Sequence, residues 1–289
     1  MKVLRFKKGT IEEKITIVLA LTLFIGNAII CVFPAIWSFM NALKTGPEFF
    51  ADSLALPQNW LFSNFITVFD NFIIREFNYL DMLINSLWIL VVKVFLSVLS
   101  SALLAYALAK FRFPGSNFLY WLVIFAKTIP LIGSGAAGMK LMRDLNMINN
   151  PSTIWIAWAG GFDFAFIVFY GTFKGISPTY SEAARLDGAN NFVILFKVIL
   201  PQAIASIIAI AITEAISVWN DYSTPMLYLR DYPNLAYGLY LFDIEANYVE
   251  NSKPTFFAAA LISCIPVIIL YAANMKLIME NVTAGGLKG

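Results

Sequence analysis

Four ionisable residues, Lys93, Lys127, Asp163 and Glu214, stand inside long apolar stretches and bound the chemistry open to this chain. Counted at about 1.5 Å per residue from the ends of helices, all four fall roughly 13–17 Å deep, near a bilayer midplane. A charge at that depth costs about 2.5–3.5 kcal/mol on insertion scales, so such residues face protein or water. Two cations and two carboxylates at one depth pair with one another, or they line a polar path and hydrogen-bond a passing solute. Both readings stay open from the sequence alone. Other chemistries are closed. The chain has no histidine, and Cys31 and Cys264 lie in apolar runs, so neither a disulfide framework nor a metal site is expected. No nucleophile–base cluster is present, so no catalytic residue is assigned. The phosphate-binding pattern Gly-x-x-x-x-Gly-Lys-Ser/Thr is also absent.

The elements that must position these charges follow from composition. Of 289 residues, 60% are hydrophobic and 13% charged, with a mean hydropathy of +0.74. Soluble domains are about 45–50% apolar and roughly 25% charged, so a water-soluble protein and a disordered one are both excluded. The net charge of +2 gives no nucleic-acid surface. Six segments approach the ~20 apolar residues that a spanning helix needs: Ile15–Leu43, Met82–Ala109, Phe118–Leu141, Thr153–Phe173, Ala203–Trp219 and Phe256–Met279. Backbone polar groups in lipid must be satisfied within the segment, and no ten-residue alternating stretches suggest a barrel. The first segment is longer than a signal-peptide core and lacks a cleavage pattern, so it is expected to be retained.

Basic residues set the orientation. With the N-terminus inside, twelve Lys and Arg fall in inner segments and six in outer loops. Both termini are therefore expected in the cytoplasm. The expected fold class is an all-α integral membrane protein with six transmembrane helices. Its parts are a cytoplasmic N-terminal segment (1–14), a transmembrane domain (15–279) and a cytoplasmic tail (280–289). The long outer loops, about 44–81 and 221–254, are rich in Pro and aromatic residues, which suits a folded cap or a docking surface.

The inner loop 174–202 is the most informative stretch. Ser177-Pro178 is a good helix start, with Ser as N-cap and Pro at the first helical position. Gly188 permits the left-handed turn that ends this short helix. Phe192, Phe196 and Ile199 recur at i, i+4 and i+7, one face of a second short helix that Pro201 closes or kinks. A compact helix–turn–helix between two spans, with no catalytic constellation, is suited to fit a groove on another protein.

Glu182-Ala183-Ala184, three residues, Gly188, nine residues, then Val198-Ile199-Leu200-Pro201 resembles the EAA loop of binding-protein-dependent ABC importer permeases. The departure from the usual pattern is Val198 in place of isoleucine. Further likeness runs along the chain: Asn85-Ser86, Ala105-Tyr106-Ala107, Leu145–Asn149, Trp219-Asn220-Asp221 and the glycine-rich end, Thr283–Gly289. These features resemble the smaller permease of maltose-type carbohydrate importers.

The resemblance implies a type I importer permease fold and a bacterial cytoplasmic-membrane location. It implies as partners a second, non-identical permease, two ATPase subunits and an external or periplasmic sugar-binding protein. ATP and Mg would be used by the ATPases, with no cofactor bound by this chain. Carried over by position, Glu182, Ala183, Ala184, Asp187 and Gly188 form the element that couples to the ATPase. Thr283, Gly285, Gly286 and Lys288 of the tail lie at the same interface. Lys93, Lys127, Asp163 and Glu214, with Trp219 and Asn220, are the candidates for the sugar path, beside the aromatic run Trp155, Trp158, Phe162 and Phe166. The alternative is an ion-coupled secondary transporter working through the four buried charges. Such proteins commonly show inverted repeats, and the two halves of this chain show no self-similarity.

Overall fold

A computed structural model describes residues 10–128, 135–245 and 252–286, and Lys288 lies outside them. The chain divides into two compact units, one of residues 1–72 with 243–262, the other of 73–242 with 263–289.

In the first unit, α1 (Ile11–Ala42) begins on a capping box in which Thr10 and Glu13 satisfy each other's backbone amides. Its end is closed from outside. The Asn64 side chain donates to the carbonyls of Ala42 and Lys44, both at 2.9 Å, and the buried Lys44 ammonium donates to the Asp52 carbonyl. The bond to Ala42 occupies an acceptor that the last turn of α1 would leave orphaned. Two short helices follow, α2 (Gly46–Ala51) and α3 (Asn64–Asn71). Trp37 and Phe49 both pack against Phe257, with ring centroids 5.1 and 5.6 Å apart. Most of α1 presents bare aliphatic and aromatic side chains, Leu23 and Phe24 among them. A surface this apolar is at rest in lipid and would aggregate in water.

The second unit opens with a hairpin, β1 (Ile73–Ile74) and β2 (Phe77–Asn78), that leads into α4 (Tyr79–Lys110). Helices α5 (Ser116–Thr128) and α6 (Gly135–Asp144) come next. Then come α7 (Trp155–Trp158), α8 (Phe164–Gly175), α9 (Pro178–Leu186) and α10 (Asn191–Ile194). A π turn over Leu195–Ile199 runs into α11 (Leu200–Gln202) and α12 (Ile204–Trp219). Helix α13 (Ser223–Tyr228) belongs to this unit, and α14 (Leu235–Glu245) and α15 (Ser252–Gly286), which complete the chain order, each have residues in both units. The core is built chiefly from α4, α8, α12 and the π turn, around Ala105, Phe166, Phe169, Phe173 and Ile199.

Three described helices, Ile11–Ala42, Tyr79–Lys110 and Ser252–Met275, are long and apolar enough to cross a membrane. The pair Asn191–Gln202 and Ile204–Trp219 would make a fourth, bent by 78°. One of the six expected spans, the fourth, is interrupted within the described residues, and the third crosses residues 129–134, which lie outside them. The third is described as two pieces, α5 and α6, on either side of residues outside the description. The fourth stops at Trp158 and restarts at Phe164. The reason is local: Gly160 and Gly161 interrupt the run, and Gly161 sits at φ +72°, outside the helical region.

Gly161 also meets its neighbour closely. A Cβ built there would lie 3.2 Å from the backbone carbonyl oxygen of Ser100, which cannot swing aside. Gly161→Val therefore combines a forbidden φ with a steric collision, at a cost of about 2 kcal/mol. The expected result is a drop of several degrees in the melting temperature of the purified protein, read by size-exclusion after heating. Gly160→Ala, with open space around its Cβ and no positive φ, should melt as the unaltered protein does.

Candidate functional site

Two places bring the expected residues together. One is the elbow of α9 and α10. Ser177 caps α9 by accepting from the Thr179 amide, and Pro178 stands at its first position. The helix ends on three backbone bonds, from Asp187 to Ala183, Gly188 to Arg185 and Ala189 to Ala184, at 2.9–3.1 Å. Gly188 takes φ +83°, the left-handed position that glycine fills without strain. Asn190 then caps the next helix through the Val193 amide, and Arg185 reaches Asn191 at 3.4 Å.

The elbow has an inner and an outer side. Ala184 and Ala189 pack onto the core of the second unit, and the Lys110 ammonium donates to the Ile176 carbonyl at 2.6 Å. Glu182, Ala183, Asp187 and Gly188 are exposed. Beside them Leu186 is 90% exposed and Phe192 73%. Apolar groups so bare, on an elbow held at its base, are no part of the folding core. One expectation is corrected here. Phe192, Phe196 and Ile199 do not share a face, because the π turn over Leu195–Ile199 shifts the register. Ile199 is buried while both phenylalanines remain outside. In the tail, Thr283, Gly285 and Gly286 continue the backbone of α15 as helix.

The second place is a cavity of about 260 Å³ at the break in the fourth segment. It is lined by Lys93, Ser97, Trp158, the Gly160–Asp163 turn and Glu214. Asp163 caps α8 by accepting from the Phe166 amide at 3.0 Å. Its carboxylate also accepts from Ser97 at 3.0 Å and Ser101 at 2.7 Å. Broken backbone at membrane depth is tolerated where it is buried in protein or lines a cavity, and Gly160–Asp163 line one here.

The mutual pairing open to the four midplane charges is not what forms. Lys93 pairs instead with Asp221, beyond the end of α12, at 3.0 Å. Asp163 is held by serines. Glu214 lines the cavity half-buried, with no hydrogen-bond partner among the described residues. Lys127 is exposed on the last turn of α5. Trp219 and Asn220 stand apart from the cavity: Trp219 is buried with its indole donating to the Ser263 carbonyl, and Asn220 donates back to Ile216. Sequence reasoning missed Ser97, Ser101 and Asp221 as partners. The serines were detectable, since Ser97 and Ser101 stand at i and i+4 on one helix. Lys93 and Asp221, 128 residues apart, carried no such local signal.

Burial raises the Asp221 carboxyl, but the Thr224 hydroxyl and amide and the Lys93 ammonium outweigh it and hold the group below its usual 3.8. A depressed carboxylate contributes stability that is complete above its unfolded value and is lost as pH falls through the folded one. The contribution of this pair should thus be constant from neutrality down to about pH 4 and fall only in stronger acid. Melting temperatures measured across that range on the protein and on Asp221→Asn check it. The gap between them should stay level until pH drops below the ordinary carboxylate value, then close.

Comparison with known proteins places the chain in a family. The family model described as binding-protein-dependent transport system inner membrane component matches residues 48–282. The chain is 28% identical over 265 residues to the arabinooligosaccharides transport system permease of Halalkalibacterium halodurans, covering 91% of this chain and 93% of that one. It is 26% identical over 283 residues to the trehalose/maltose transport system permease of Thermococcus litoralis, covering 96% and 99%. Among solved structures it resembles a chain of a bacterial ABC transporter involved in import of the acidic polysaccharide alginate. That match has a TM-score of 0.80 at 26% identity and covers 93% and 98% of the two chains.

Proposed function

We propose, because this chain belongs to the binding-protein-dependent transport system inner membrane component family, that it forms half of the translocation path of an ATP-driven oligosaccharide importer in a bacterial cell membrane. The observation that carries the reading is the elbow. Glu182, Ala183, Asp187 and Gly188 are presented outward from a base fixed to the bundle core. A nucleotide-binding partner that grips this element on ATP binding can move α9 and, through the π turn, the bent α12. The spans then swing between outward and inward access, a two-state change of packed helices.

The finer parts belong to the same reading: six spans with both termini cytoplasmic, a second permease completing the path, a pair of ATPases using ATP and Mg, and an external sugar-binding protein. The names of the relatives, for arabinooligosaccharides and for trehalose/maltose, support saccharide cargo. The tail, Thr283 to Lys288, joins the elbow at the ATPase. An ion-coupled mechanism has less to work with, since Lys93 is already paired with Asp221 and Asp163 is spent on capping and two serines.

A photo-crosslinking residue in place of Leu186 tests the docking. With the complex purified from its host, the expected product joins this chain to a nucleotide-binding subunit, and the yield should change when ATP is bound. Crosslinks formed only to lipid or to a second copy of this chain would contradict the assignment.

A further inference from the structure

The cavity at the break in the fourth segment holds one polar group that the fold does not use. Glu214 has no hydrogen-bond partner among the described residues, although it sits mid-helix on α12. The charges that bear on it are Asp163, Lys93 and Lys127. Of these, Asp163 and Lys93 line the same cavity, and each is already engaged, Asp163 by Ser97, Ser101 and the Phe166 amide, Lys93 by Asp221. A half-buried carboxylate at membrane depth is costly unless something in the cavity answers it. Water can do so between transport cycles. During one, the solute must.

The walls define the solute. Phe162 lines the cavity with its ring 47% exposed, a flat apolar face. Trp158 also lines it, nearly buried against Trp88 at 6.0 Å between ring centroids. Glu214 and the non-helical backbone of Gly160 and Gly161 complete the lining. Such a site suits a molecule with one apolar face and an edge of hydroxyl donors, which is the make-up of a pyranose ring. Its 260 Å³ is just under the roughly 300–1,000 Å³ of sites that enclose drug-sized ligands, a size that suits one ring. Its charge is selective. The one lining cation is held by Asp221 and two carboxylates are among the lining, so a uronate group would meet like charge.

We propose that Glu214, Phe162 and the Gly160–Asp163 turn form a subsite for a single uncharged sugar ring. Glu214 accepts from the ring hydroxyls, Phe162 covers its apolar face, and acidic saccharides are disfavoured. This rests on the transport reading and adds to it the class of sugar and the residue that accepts it.

The test is direct binding to the complete importer, both permeases and both ATPases, in nanodiscs without the external binding protein. The probes are radiolabelled neutral trisaccharides of glucose, galactose and arabinose, with trigalacturonate as the acidic probe of equal length. At least one neutral probe should bind saturably and trigalacturonate should not compete with it. Glu214→Leu should weaken binding about tenfold, as expected for loss of a charged acceptor. Glu214→Gln, which still accepts, should weaken it less. Size-exclusion of the assembled complex keeps misfolding separate from lost affinity. Unchanged affinity in Glu214→Leu, competition by trigalacturonate, or no saturable neutral binding would each overturn the subsite. Failure of the transport reading would show differently, as a complex that purifies without any nucleotide-hydrolysing subunit.

Discussion

Gly188→Val is expected to reduce ATP-driven uptake at least tenfold while leaving the complex in the membrane. The reason lies wholly in the backbone. Nothing approaches within 4 Å of a Cβ built at Gly188, so the new side chain collides with no neighbour. What it cannot do is hold φ +83°. The left-handed region costs an L-residue roughly 1–2 kcal/mol, and more for a β-branched one. At 1.4 kcal/mol per factor of ten, that is enough to shift most elbows out of the docking angle. Gly188→Asn supplies the control, because asparagine enters this region far more readily. Uptake should rank glycine, asparagine, alanine, valine. Equal loss in Asn and Val would mean that the site acts by shape and not by φ.

The second large effect is expected at Asp163. Its carboxylate ends the break in the fourth segment, accepting from Ser97, Ser101 and the Phe166 amide at once. Asp163→Leu removes an N-cap, at about 1 kcal/mol. It also strands the fully buried Ser101 hydroxyl, left with an unmet hydrogen bond at roughly 1–3 kcal/mol. Few proteins have stability to spare on that scale, so little assembled permease should be recovered. Asp163→Asn keeps an oxygen for the cap and for one serine, and its yield should approach that of the unaltered chain. The comparison is read as the amount of monodisperse complex after extraction. If Leu and Asn were recovered equally, the carboxylate would not be what holds α8 in place.

How far residues announced these roles depended on the range of the physics. The elbow was legible because each part is local: Ser177 and Pro178 start a helix, and Gly188 ends it within ten residues. The structure keeps that order, with Ser177 capping and Gly188 at positive φ. The π turn was not legible, since Leu195–Ile199 has the same apolar spacing whether it winds by four residues or five. Its winding turned Ile199 inward and left Phe192 and Phe196 outside. The fourth segment shows the limit most plainly. Hydropathy alone made Thr153–Phe173 one span, but Gly160-Gly161 followed by Asp163 is also a stop and a fresh N-cap, a local signal that hydropathy outweighed. The four midplane charges were found by type alone. Their true partners, Asp221 for Lys93 and two serines for Asp163, depend on which helices meet, and that is decided by packing.

The claim beneath the whole account is that the elbow receives work from a subunit this chain recruits, and that the chain by itself moves nothing uphill. Reconstitution measures it directly. Vesicles are prepared with the two permeases and the binding protein, with or without the ATPases, and loaded with ATP and Mg, and accumulation of labelled saccharide is followed. Concentrative uptake is expected only with the ATPases present, and it should collapse when Gly188→Val replaces the native elbow. Accumulation in the vesicles lacking ATPases, driven by an ion gradient or by nothing added, would contradict the account.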